Sequence, residues 1–98
     1  MNTPITLHGW TVTVQPADHG VILASTEIPY KEGEEIPHYV NATGTSRMSA
    51  LFCLCNRLQA AANVMLYLND LEDGTYEKVS EFALHIQEEA WKQERLAA

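Results

Sequence analysis

The sequence predicts an α+β fold, a small antiparallel β-meander of two to three strands packed against two C-terminal amphipathic α-helices. Apolar residues alternate with polar ones through the first forty positions, which is the period of a strand with one buried face. From Met48 onward they recur at steps of three and four, which is the period of a helix. Size is the third observation. A chain of 98 residues suits one hydrophobic core, so strands and helices are expected to cover one another in a single domain spanning 1–98.

Taking the elements in order, Ile5 and Leu7 alternate with polar neighbours and Gly9 interrupts them. Trp10, Val12 and Val14 then alternate on the opposite parity. A change of parity at a glycine reads as a bulge or bend, because one inserted residue moves the following side chains to the other face. Pro16-Ala17-Asp18-His19-Gly20 supplies turn chemistry and closes a hairpin. Val21 to Ile28 forms the second strand, with Ile22, Ala24 and Ile28 on one face and Val21 and Leu23 on the other. Pro29 ends this strand or places it at an edge. Lys31-Glu32-Gly33-Glu34-Glu35 reads as a solvated loop, and Ile36 to Val40 as a third strand broken near Pro37.

The second half changes period. Met48, Leu51, Phe52, Cys55, Leu58, Ala62 and Met65 form the apolar stripe of a helix from about Ser46 to Leu68. The hydroxyls of Thr43-Gly44-Thr45-Ser46 are placed to accept from the free N–H groups of its first turn. Leu54 and Leu66 fall off this stripe, which predicts cover on more than one side. The acidic connection Asn69-Asp70-Leu71-Glu72-Asp73-Gly74 precedes a second helix from about Thr75 to Arg95, with negative charge where its dipole favours it. The core stripe of this helix is Tyr76, Val79, Phe82, Ala83, Ile86 and Ala90.

Composition narrows the function. Thirteen acids against six bases give a net charge of −7, which repels phosphate backbones and disfavours direct nucleic-acid binding. No apolar run is long enough to span a bilayer, and Met1-Asn2-Thr3-Pro4 lacks the basic and apolar regions of a signal peptide, so the expected location is the cytoplasm. Cys53 and Cys55 stand two apart on a helix and cannot meet in a disulfide, which fits reduced thiols.

No catalytic or cofactor signature stands out. His8, His19, His38 and His85 are scattered without metal-ligand spacing, and no HExxH is present. Cys53 and Cys55 point to different sides of a helix, so they do not chelate one ion; Cys55 on the stripe reads as a small core hydrophobe. GxSxG, GxxxxGK[ST] and GxGxxG are absent, and Gly44-Thr45-Ser46 reads as ordinary helix capping rather than a phosphate cradle. The acids at Glu32, Glu34 and Glu35, and at Asp70, Glu72, Asp73 and Glu77, read as solvated loops or as a surface for a basic partner.

Leu84 and Trp91 carry the sharpest signal. They lie seven residues apart on a face of the second helix that the core stripe does not use, flanked by Glu81, Glu88, Lys92 and Arg95. Either the sheet or the first helix reaches round to bury them, or they anchor a dimer or partner interface, where tryptophan is enriched. Leu84, Glu88, Trp91 and Arg95 are accordingly the candidate protein-binding residues.

The order of elements, with a short meander, a KxGEE-type loop at Lys31 to Glu35, a leucine-rich helix and an acidic final helix, resembles the small uncharacterised accessory proteins of temperate bacteriophages and prophages. The resemblance implies a small cytoplasmic protein that acts by binding a host or phage protein, in some cases as an inhibitor of host defence. Three functional readings stand at this point. The first is a noncatalytic protein-binding module, an inhibitor or adaptor encoded by a mobile element, with a protein partner or a second copy and no membrane or cofactor. The second is a small acidic transcription regulator or DNA mimic, recognisable by a continuous acidic stripe. The third is a small-molecule-binding domain or enzyme, motivated by Tyr30, Tyr39 and Tyr76 and requiring a pocket in which His38, Tyr39 and a carboxylate converge.

Overall fold

The structure is a computed structural model and describes residues 5–28, 38–67 and 74–97. Four strands, β1 (Ile5–Leu7), β2 (Trp10–Pro16), β3 (Ile22–Ile28) and β4 (His38–Gly44), form one antiparallel sheet in the order β1-β2-β3-β4. Two helices follow, α1 (Arg47–Tyr67) and α2 (Thr75–Ala97). The α+β class agrees with the sequence reading, whereas the expected two to three strands are four.

The extra strand comes from the parity change at Gly9, which is a hairpin and not a bulge. Leu7 pairs directly with Trp10, leaving His8 and Gly9 as a two-residue loop with φ of 56° and 82°. Two central residues at positive φ define the mirror-image turn whose twist matches a β-hairpin. Glycine adopts that conformation without a Cβ clash, and histidine visits it more often than most residues do. Since the residues flanking a two-residue loop are cross-strand partners, Leu7 and Trp10 share a face, and the apolar parity switches from odd to even without any bulge. The β2–β3 loop repeats the dipeptide. His19 and Gly20 have φ of 62° and 74°, and Ala17 N–H donates to the Val21 carbonyl at 2.7 Å.

Register then sorts the sheet into two faces. Val12, Thr26 and Val40 lie in one row with Ile5, and Val14, Ala24 and Ala42 in another. Ile5, Val12, Ala24, Thr26 and Ala42 are buried under the helices, and the Thr26 hydroxyl donates to the Thr11 carbonyl at 3.0 Å. The other face presents Thr6, Thr11, Thr13, Gln15, Glu27, Tyr39, Asn41 and Thr43 to solvent. The third strand anticipated at Ile36 to Val40 is observed as β4, two residues later at its start and four later at its end; Ile36 and Pro37, like Pro29 and the Lys31–Glu35 loop, lie outside the described residues.

α1 lies over β4 and β3, and α2 pairs with α1 and reaches β1. Small residues seat α1. Ala24 and Ala42 are buried beneath it, and a Cβ added at Gly44 would stand 2.5 Å from the Ala50 amide nitrogen and collide with Ser49. Only glycine permits that approach. Ser46 caps the helix: its Oγ accepts from Ser49 N–H at 3.1 Å, while Ser49 Oγ accepts from Ser46 N–H at 3.1 Å, a reciprocal pair that satisfies two backbone donors. Thr43 and Gly44, also considered for capping, belong to β4.

α2 docks differently, through aromatics. Trp10 meets Phe82 edge to face at 5.5 Å between ring centroids, and His8 meets Trp10 in the same manner at 5.8 Å. His8 Nε2 also contacts Glu81 Oε2 at 2.9 Å, tying the first hairpin turn to the helix. In the first turn of α2, Tyr76 Oη donates to Asn63 Oδ1 at 2.8 Å and accepts from Gln59 Nε2 at 3.3 Å, tying the helix to α1. The shared core comprises Leu51, Leu54, Cys55 and Leu58 from α1 with Val79, Phe82, Ala83, Ile86 and Ala90 from α2. Phe52 and Met48, which the stripe had included, are half-buried at its margin.

Candidate functional site

α2 is set by its core stripe. Val79, Phe82 and Ile86 are fully buried, and a helix turns 100° per residue, so the positions one or two steps away point elsewhere. Leu84 and Trp91, two turns apart, emerge together on the outer side. They are 56% and 53% exposed. Neither the sheet nor α1 reaches round to bury them.

Glu88 and Arg95, the other two candidates, flank the same surface, and Gln87 and Lys92 complete the lining of a shallow, open hollow along it. The four residues singled out by sequence are thus brought together on one helix face. Gln87 was missed, although its position four before Trp91 and three after Leu84 places it between them. The outer face also has a longer period. Glu81, Leu84, Glu88, Trp91 and Arg95 follow at alternating steps of three and four, and all five are exposed. Acids occupy the earlier part of that stripe, and Lys92 and Arg95 its last turn.

Exposed apolar residues also stand at the end of α1, where Val64, Leu66 and Tyr67 face solvent. The helix-free face of the sheet, a second candidate surface, is polar: Thr6, Thr11, Thr13, Asn41 and Thr43 dominate it, and the Thr11 hydroxyl lies 3.4 Å from that of Thr6. Tyr39 projects from that face, whereas Tyr76 sits between the helices on the opposite side of the sheet. The two tyrosines therefore do not converge, and Tyr30 and the His38 side chain lie outside the described residues. Among the described residues, no three His, Cys, Asp or Glu side chains are grouped to hold a metal ion. His8 and His19 occupy turns at opposite ends of β2. Of the acidic runs, only Glu77 lies within the described residues.

Cys53 is exposed and Cys55 buried, so the two thiols face apart as their spacing requires. Burial pushes the Cys55 thiol up to about 11. Burial likewise lowers the Arg47 guanidinium from its ordinary value. No described helix is long and apolar enough to cross a membrane. No protein-family model matches the chain, and comparisons with curated proteins and with solved structures return no match.

Proposed function

We propose that this chain is a noncatalytic protein-binding module whose recognition element is the outer face of α2. One observation carries the reading. The helix completes its core stripe with Val79, Phe82, Ala83, Ile86 and Ala90, and still holds Leu84 and Trp91 more than half exposed beside one another. An isolated exposed leucine is ordinary, but a leucine and a tryptophan on one face place a contiguous apolar surface in water. Tryptophan and arginine, both present here, are the residue types that anchor protein interfaces most often. The mixed charges of Glu88, Lys92 and Arg95 around them form the polar rim that such interfaces carry.

The module acts in the cytoplasm as an inhibitor or adaptor encoded by a mobile element, directed at a host or phage protein, and the α2 face takes a protein partner or a second copy. This extension rests on the resemblance in element order and loop composition. Site-specific photo-crosslinking in bacterial cells tests the core of the reading. A benzophenone side chain placed singly at positions 84, 88, 91 and 95 is expected to give protein adducts, and at positions 13 and 41 of the polar sheet face to give none. Adducts that form equally from both faces, or from the sheet face alone, would sink the assignment.

A further inference from the structure

We infer that the occupant of the α2 outer face is a second copy of this chain, with the two α2 helices packed antiparallel about a twofold axis near Gln87 and Glu88. The inference rests on the binding role proposed for this face and specifies its partner.

The exposed stripe Glu81, Leu84, Glu88, Trp91 and Arg95 averages 3.5 residues per step, the spacing at which one helix keeps a continuous seam against another. A twofold interface requires a patch that complements itself. Reversing the stripe about its centre brings each Leu84 to the height of the partner helix's tryptophan, seating the two large apolar residues against one another. It also brings each Glu81 to the height of the opposing helix's last turn, where its arginine supplies the counter-charge. Glu81 can take this second partner, since its side chain remains 64% exposed while it holds His8. Lys92 stands one turn from Glu88, on both helices, and balances the central acids. Glu88 meets its own copy in either orientation, but a parallel pair would also set Glu81 and Arg95 each against its own copy, and like charges in contact are strongly disfavoured.

Size sets the strength. One helix face presents less than the roughly 800 Å² per partner of a standard stable interface, so a weak, reversible dimer is expected. Its chemistry is noncovalent throughout.

Sedimentation equilibrium of the full-length chain from low to high micromolar concentration tests the inference. The wild-type chain is expected to dimerise reversibly, and Trp91→Ala to weaken association by about 30-fold or more. Glu81→Arg and Arg95→Glu alone should each weaken it several-fold, and the E81R/R95E double variant should recover most of the loss, because the antiparallel register restores opposite charges. All these positions are exposed, and thermal melts of each variant check that the fold is retained. A chain that stays monomeric at every concentration overturns self-pairing. So does a dimer indifferent to Trp91 and to the charge pair, which would instead be built on another surface such as the open edge of β4. Either result leaves the crosslinking test free to score a different protein on the same face, so the two failures are distinguishable.

Discussion

Leu54 and Leu84 both fall outside the apolar stripes read from sequence, and they meet opposite fates. Leu54 has no exposed surface: three residues after Leu51 and four before Leu58, it belongs to the arc of α1 that is buried in the core shared with α2 and the sheet, where Ala24, Ala42 and Gly44 let the helix come close. Leu84 is 56% exposed because α2 packs against α1 and the edge of the sheet at β1, and its flank rises above both. A leucine read as off the stripe is thus either part of a buried arc wider than the stripe, as Leu54 is, or the sign of a second contact surface, as Leu84 is. What decides is the width of the arc that is covered, and on α1 small residues in strands far away in sequence help set it.

Truncating the two leucines sharpens this contrast most. Leu54→Ala is expected to cost about 3 kcal/mol of unfolding free energy, and Leu84→Ala no more than about 0.5 kcal/mol, in urea titrations at concentrations where the chain is monomeric. Equal losses would mean that both flanks are buried by the same polypeptide. The seat itself is broken by Gly44→Ala. The added methyl has no room against Ser49 and Ala50, and a destabilisation of about 1–3 kcal/mol is expected, read as a fall in urea midpoint at unchanged slope.

The thiols report the same division on α1. Cys53 is expected to react with a disulfide reagent in the native protein, and Cys55 only when the chain unfolds. The pH dependence follows in sign. The folded state holds the Cys55 proton to about 11, while in the unfolded chain it leaves near the ordinary value of 9.0, so the native advantage is complete below pH 9 and is lost as pH rises towards 11. Cys55→Ala should flatten that alkaline loss. The smallest effect concerns a buried hydroxyl on α2. The Ser80 hydroxyl is buried without a hydrogen-bond partner among the described residues, so Ser80→Ala is expected to be neutral or to stabilise by up to about 1 kcal/mol in thermal melts.

Much of this arrangement was legible in the residues. The switch from period two to period 3.6 placed the strands before the helices, and both helix starts were read to within a residue of Arg47 and Thr75. The candidate face was legible for the same reason, since helical periodicity fixes which side chains share a side. What escaped was chain reversal. Gly9 was read as a bulge or bend because parity alone does not separate an inserted residue from a two-residue turn; the cue was the His-Gly pair, both of whose residues adopt positive φ. The burial of Leu54 was within reach, since it stands three after Leu51 and four before Leu58; the depth to which Ala24, Ala42 and Gly44 admit α1 was not, being a property of three positions in two strands rather than of the helix.

The accessibility of Trp91 in solution tests the central claim most directly. In a Trp10→Phe chain, Trp91 is the sole tryptophan, and its fluorescence can be followed with acrylamide as quencher while the protein is concentrated. Emission that is red-shifted and readily quenched in dilute protein, then blue-shifted and protected as copies associate, is the expected result. A blue-shifted, quencher-resistant Trp91 in the dilute monomer would contradict it, since the outer face of α2 would then be covered by its own chain.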